Sequence, residues 1–376
     1  MTTVVAAETI AIVSKQKSLV GMQTRAKYSR REFLKVSLLG LTSLAFRSVT
    51  LPEFPQSERL GRVNVGMTEI KARPDTESET VEAIYGDTVV PWLREVIGKR
   101  PWRINQRWVE TPNGYIWAPY LQPVKNTLNV SLNSLPESSL GPGLWAEVTV
   151  PYLDVVLGNP PARSPWLQNT ENPRVYYSQV FWIDQIKTDD QGQTWYRINE
   201  RYGFGDLLWA RAEGFRPLTE QDVAPISPGV ADKRVVVDVS RQTLACFEGK
   251  NEVYFTQVST GMMNDFYGNP TDIWETPVGI RPIWRKLVSV HMTGGTTGGG
   301  YDIAGVSWTT LFEGNGVAIH STFWHNNFGE AMSQGCVNCR PEDARWVFRW
   351  TLPVVAYDPG DVTVGMPGGT LVEVVK

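Results

Sequence analysis

The side chains best able to do covalent chemistry are gathered near the C-terminus. Val317-Ala318-Ile319-His320-Ser321-Thr322 is followed by Ser333-Gln334-Gly335-Cys336-Val337-Asn338-Cys339, and two of the chain's three histidines, His320 and His325, shortly precede Cys336. A thiol attacks a carbonyl as thiolate, or as its proton is taken by a base, and imidazole is the usual base near neutral pH. Gly335, just before the cysteine, lets the backbone approach a substrate and aim amide N–H groups at a developing oxyanion. Plainer readings exist for the same residues. A buried cysteine is commonly inert packing. Cys336-Val337-Asn338-Cys339 also has the spacing of a redox dithiol or half a metal site, although no second Cys/His pair at zinc spacing and no βαβ pattern accompanies it. His325, in Trp324-His325-Asn326-Asn327, reads as a surface or lid residue. His291 reads as the end of a strand beside the glycine-rich stretch Thr293–Gly300, either a flap or an exposed hairpin tip.

The elements that must position these residues are mainly β. Arg234–Leu244 is a β-branched run, a polar turn and a second strand entry, as in a hairpin. Further strands are predicted at Glu252–Ser259, Lys286–Met292, Gly316–His320, Leu352–Tyr357 and Leu371–Val375. One helix is signalled just after the cysteines: Pro341 suits its first position, Glu342 and Asp343 favour the positive end of its dipole, and Ala344 to Trp350 runs on without a breaker.

His320-Ser321 after an apolar strand, then Ser333-x-Gly335-Cys336-Val337-Asn338, resembles the catalytic signature of L,D-transpeptidases of the YkuD type. Asp238–Leu244, the Gly261 turn and Thr276-Pro277-Val278-Gly279 occur in the expected order upstream, and the resemblance covers about Lys233 to Val375. It implies a β-sandwich catalytic domain over residues 231–376 with one short helix, acting on peptidoglycan stem peptides without metal or other cofactor. It implies Cys336 as nucleophile, His320 as its base and the Ser321 backbone as the group orienting His320. The amides of Gly335 and Cys336 would line an oxyanion hole, with Tyr301, Ser333, Gln334 and Asn338 on the substrate side. The chain departs from the pattern at Gln334, where the family usually has histidine; an amide hydrogen-bonds but carries no titratable proton. The acyl-enzyme would pass to an acceptor amine, or to water in a carboxypeptidase. Gln334 favours a third possibility, a degenerate domain that only binds the cell envelope.

Upstream, short apolar alternations from Arg62 to Val124 are broken by turns at Arg73-Pro74-Asp75, Gly86-Asp87 and Pro112-Asn113-Gly114. A second stretch, about Leu144 to Leu218, repeats the order of Trp108, Trp117 and Pro123 with Trp195, Trp209 and Pro217, which suggests duplication. Both resemble small bacterial SH3-like barrels, with boundaries at 58–125 and 142–222. Asn126–Pro142 and Pro225–Asp232 read as linkers. Trp and Tyr at alternate strand positions are more often barrel core than a sugar platform.

Ser29-Arg30-Arg31-Glu32-Phe33-Leu34-Lys35 precedes a short apolar run to Phe46, and this resembles a twin-arginine export signal within a segment placed at 1–54. Arg47 ends the run well short of the roughly 20 residues of a membrane helix, so membrane anchoring is expected only through this segment. With 36 Lys and Arg against 39 Asp and Glu, the net charge of −3 offers no field for a polyanion, and nucleic acid is not an expected partner. The 33 Gly and 25 Pro favour turn-rich β structure, and the 15 Trp and 13 Tyr exclude general disorder. Three cysteines cannot all pair, so no disulfide scaffold is expected and a thiol remains for other work. Oligomeric state is not legible.

Overall fold

The computed structural model describes residues 51–264, 268–294 and 300–376. Ser29–Phe46, the stretch resembling an export signal, lies outside the described residues. No helix among the described residues is long and apolar enough to cross a membrane.

Two five-stranded sheets face each other at the C-terminal end. The first runs in the order Asn251–Gln257, Thr243–Glu248, Lys233–Asp238, Leu371–Val375, Gly279–Pro282. The second runs Val337–Cys339, Ala318–Ser321, Tyr301–Leu311, Arg285–Gly294, Asp361–Thr363. Val235, Val237, Leu244, Val288, Trp308, Ile319 and Val337 share one buried core, into which the helix Pro341–Trp350 adds Ala344, Val347, Phe348 and Trp350. The helix forms where the sequence predicts it, with Pro341 in its first turn and Glu342 and Asp343 beside it. Its C-terminal carbonyls are taken up by the fully buried Lys286, whose Nζ donates to Phe348 O (2.5 Å), Thr351 O (2.7 Å) and Pro353 O (2.8 Å).

The predicted strand Leu352–Tyr357 is not a strand; this stretch is turn and coil. Pro353 has no N–H to give to a ladder, its carbonyl goes to Lys286, and Leu352 exchanges hydrogen bonds with Thr370. Asp361–Thr363 forms the edge strand instead, pairing with Arg285, Lys286 and Leu287.

Strands between Leu60 and Val124 divide into a three-stranded and a five-stranded sheet, and those between Leu144 and Pro217 into a six-stranded and a two-stranded sheet. Among the described residues neither set closes into a barrel. The same order of strand, 3-10 turn and strand occurs in both stretches: Gly114–Trp117, Ala118–Tyr120, Leu121–Val124, and Leu207–Arg211, Ala212–Gly214, Phe215–Pro217. Gly114 lies at φ +137° and a Cβ there would fall 2.5 Å from Lys71 O, so the hairpin needs glycine. The stretch 126–142 holds no strand, yet Asn129, through its N–H, and Leu132 hydrogen-bond to Glu213 O and the Tyr196 hydroxyl of the middle sheets.

These sheets are packed together rather than strung out. Phe54, Leu60, Val124, Phe181, Tyr196 and Ala304 belong to one buried cluster, drawing on all three parts of the chain. His291 is not at an exposed hairpin tip, because it is buried between the middle sheets and the C-terminal strands. Its Nδ1 lies 2.6 Å from Glu200 Oε2 and its Nε2 bonds Asp302. Gly294 pairs with Tyr301 at the hairpin end, and residues 295–299 lie outside the described residues. Burial opposes charge on His291, but the hydrogen bonds and charges of Glu200 and then Asp302 outweigh it and raise the imidazole to about 9.

A histidine whose pKa is raised on folding stabilises fully below its unfolded value near 6.5, and that stabilisation is lost as pH rises through about 9. As pH rises from 7 to 9.5 the unfolding free energy should therefore fall, at up to about 1.4 kcal/mol per pH unit, and the denaturation midpoint with it. His291→Gln should be less stable at pH 6.5 and lack this fall; an unchanged slope in the variant would contradict the assignment.

Candidate active site

Ala318–Ser321 and Val337–Cys339 pair in parallel, with Ile319 opposite Val337, His320 opposite Asn338 and Ser321 opposite Cys339. Alternation along extended chain then puts His320 on the same face as Asn338 and, two residues back, Cys336. Cys339 falls on the other face and is buried in the core with Cys246, and all three cysteines are free thiols. The opposed faces do not favour the dithiol reading of Cys336 and Cys339. Among the described residues no three His, Cys, Asp or Glu side chains are grouped to hold a metal ion.

Cys336 opens onto a cleft of about 240 Å³ whose lining includes Tyr301, Gly316, Gln334, Gly335 and Glu275. Its Sγ lies 4.0 Å from Gly316 O. Burial pushes the thiol up to about 11, against a smaller opposing hydrogen bond from the Ala318 backbone. His320 is buried, and its Nδ1 lies 2.8 Å from Ser321 O. A carbonyl only accepts, so Nδ1 carries the proton in the neutral ring and Nε2 is left as the basic nitrogen. Burial lowers His320 to about 4 despite that bond. The Ser321 hydroxyl lies 2.6 Å from Ser307 Oγ, which in turn donates to Ser178 O in the middle part of the chain.

Gly335 has φ +116°, a region favouring glycine. Its N–H donates to Ser333 Oγ (3.2 Å), and the Ser333 hydroxyl donates to Cys336 O (2.6 Å). Ser333 thus braces the turn from a buried position. The expected pair of oxyanion donors is corrected to this extent: the Gly335 amide is engaged by Ser333, whereas Cys336 is the other amide of the pair. Thr276, to which no role was given from sequence, accepts the Gly261 N–H and donates to Gly335 O, both at 2.9 Å.

Tyr301 borders the cleft, and the nearby Cys336 thiolate would add to burial in raising its phenol. Its ring lies over Gly294, where a Cβ would fall 2.6 Å from the hydroxyl oxygen. Gln334 also lines the cleft. Asn338 does not; it is buried, with its carboxamide 2.9 Å from His325 Nε2. His325 is likewise buried rather than a surface or lid residue, because its polar neighbours fold inward: Asn327 N–H donates to its Nδ1 at 3.3 Å, and Phe328 packs beside the ring. Burial, with a smaller contribution from neighbouring His320, lowers it to about 3.

Residues 232–374 match the YkuD family, the L,D-transpeptidase catalytic domain. No curated protein matches the chain. Among solved structures, an Enterococcus faecium L,D-transpeptidase is 21% identical with a TM-score of 0.29, over 39% of this chain and 51% of that one. A Mycobacterium smegmatis L,D-transpeptidase is 21% identical with a TM-score of 0.30, over 51% of this chain and 82% of that one. One from Stackebrandtia nassauensis is 22% identical with a TM-score of 0.26, over 42% of this chain and 60% of that one. The chain thus spans about half the length of the E. faecium protein. The YkuD match contains both the His320 strand and the Cys336 turn.

With the thiol raised and the imidazole lowered, both are neutral at pH 7, and Cys336 is not held as a thiolate in the resting protein. Alkylation of Cys336 by iodoacetamide, followed by intact mass, should therefore keep accelerating above pH 9. A plateau reached below pH 8 would instead show a preformed thiolate–imidazolium pair.

Proposed function

We propose that the protein is a peptidoglycan L,D-transpeptidase with Cys336 as nucleophile and His320 as general base. The observation that carries this reading is the His320 Nδ1 contact with Ser321 O, on the strand that pairs with the Cys336 segment, inside the YkuD match. The contact fixes the tautomer and leaves Nε2 on the sheet face shared with Cys336.

Because both groups rest neutral, proton transfer accompanies attack. Nε2 takes the Sγ proton as sulfur adds to the amide carbonyl that follows an L-centre of a stem peptide. The tetrahedral oxyanion is met by the Cys336 backbone N–H, the Gly335 N–H being held by Ser333. Its collapse breaks the C–N bond, and His320 returns the proton to the departing amine of the terminal D-residue. The thioester on Cys336 is then attacked by an acceptor amine, which gives its proton to Nε2, and the thiolate leaves and recovers that proton. Tyr301 and Gln334, on the cleft wall, would contact the stem peptide.

The upstream segments, with SH3-like modules at 58–125 and 142–222, would hold the catalytic domain on the cell wall. The twin-arginine-type segment would carry the protein out of the cytoplasm. Attack by water on the same thioester would make the enzyme a carboxypeptidase, and product analysis separates the two outcomes.

Cys336→Ala should abolish cross-link formation and carbapenem adducts on intact mass while the domain stays folded. Cys339→Ala and Cys246→Ala should keep substantial activity, and equal loss in Cys336→Ala and Cys339→Ala would favour a dithiol instead.

His320→Gln should slow acylation by about 10² or more, as expected for loss of a general base. Gln334→His should keep or raise activity. If the natural protein forms no acyl adduct and Gln334→His gains one, the domain is a degenerate binding module.

A further inference from the structure

The segment from Thr322 to Met332, between His320 and the Cys336 turn, contains no strand or helix, and much of its hydrogen bonding comes from residues far upstream. Arg62 donates from Nη2 to Phe323 O (3.1 Å), and Arg107 from Nη2 to Asn326 O (3.3 Å). Asn326 Nδ2 reaches Ala118 O at 3.3 Å. The densest tie is at Glu330. Its Oε1 accepts the backbone N–H groups of Ile104 (3.1 Å) and Asn105 (3.2 Å), and its Oε2 accepts Asn327 Nδ2 (3.0 Å) and Arg103 Nη1 (3.3 Å). A carboxylate whose side chain is only 12% exposed is costly to bury unless its lone pairs are filled, and here three of the four donors belong to the N-terminal part of the chain.

Glu330 connects inward as well. It holds the Asn327 side chain, whose residue donates its N–H to His325 Nδ1 and accepts Ser259 Oγ at its carbonyl (3.0 Å). His325 Nε2 meets the Asn338 carboxamide, Asn338 exchanges backbone hydrogen bonds with Ser259, and Asn338 lies two residues from Cys336 and opposite His320. A continuous polar chain therefore runs from Arg103, Ile104 and Asn105 through Glu330, Asn327 and His325 to the strand that carries the nucleophile.

We propose that Glu330 is a positioning residue for the thiol–imidazole pair, so that the N-terminal sheets complete the active site instead of serving only as a tether. Resting on the transpeptidase reading for its catalytic consequence, this inference makes Glu330 act through His325 and Asn338, without touching substrate. Misplacement through a relay of this kind costs turnover, because small errors in the attack geometry are expensive.

In the full chain, Glu330→Ala should lower kcat for stem-peptide transfer and the rate of carbapenem acylation by about tenfold or more, with KM for the stem peptide unchanged within about twofold. It should also displace the pH profile of Cys336 alkylation by iodoacetamide, a readout that needs no enzymatic turnover. Glu330→Gln, which keeps an acceptor oxygen for Ile104 and Asn105, should recover part of the loss. Arg103→Ala combined with Glu330→Ala should be no slower than Glu330→Ala alone, because the two side chains act as one unit. Circular dichroism and thermal melting establish that each variant is folded; if Glu330→Ala is not, the isosteric Glu330→Gln decides by its alkylation profile and acylation rate. A folded Glu330→Ala, or in its place Glu330→Gln, with wild-type alkylation and acylation overturns the proposal. Alkylation that shifts while no variant, nor the wild type, turns over stem peptide supports the positioning role and overturns the transpeptidase reading.

Discussion

Two short parallel strands must hold their register for His320 and Cys336 to share a face, and a slip of one residue would turn one of them away. Register is held from the opposite face, where Ile319, Val337 and Cys339 are buried in the core between the sheets. It is held also at the edge, where Asn338 exchanges backbone hydrogen bonds with Ser259. Gly335, with its positive φ, lets the chain turn into the second strand, and Ser333 and Thr276 fasten that turn from either side. The candidate nucleophile is thus placed by apolar packing beneath it and by two hydroxyl side chains around it.

The burial that secures this register also disfavours charge. Two buried histidines show how partners decide the result. His291 lies between two carboxylates and is raised to about 9, whereas His320 has a backbone carbonyl at Nδ1 and is lowered to about 4. The first is an interface cation and the second a neutral imidazole. Reactivity at Cys336 then depends less on a standing thiolate than on orientation and on proton transfer during attack. That places a premium on the elements that hold the imidazole and the turn.

Local sequence carries part of this. The helix at Pro341 is legible because its first-turn residues and the apolar positions facing the sheet are contiguous, and the His320 and Cys336 segments because each is a compact motif. The strands Tyr301–Leu311 and Val337–Cys339 are less so. The first bends at Gly305 and Trp308, both at positive φ, which interrupts the alternation, and the second is only three residues long. His291 looks exposed in sequence because a glycine-rich stretch begins two residues after it, and His325 because Asn326 and Asn327 follow it. Their partners, Glu200 and Asp302 for one and Asn327 and Asn338 for the other, are supplied largely by tertiary contact. Glu330 carries no local signal, and Thr276 shows only as the start of Thr276-Pro277-Val278-Gly279 with no role legible, since their importance lies in which backbone groups they meet.

A parallel pair also needs a connection that leaves one strand and returns to the start of the other, and backbone groups in such a connection must find partners wherever they are buried. A helix would satisfy its own. The irregular segment here cannot, so it draws on its surroundings: Val258, Ser259 and Thr260 on the C-terminal side, Arg62, Arg107 and Ala118 on the other. Arg62 is itself held by Asp87 (2.6 Å) and Gln122 (2.9 Å), and its guanidinium lies 4.1 Å from the centre of the Tyr176 ring, which stacks on Phe323. The N-terminal and middle sheets therefore meet the C-terminal strands at the segment least able to hold its own shape. This is a physical reason for the three parts of the chain to share buried core and polar networks, rather than to move as independent beads.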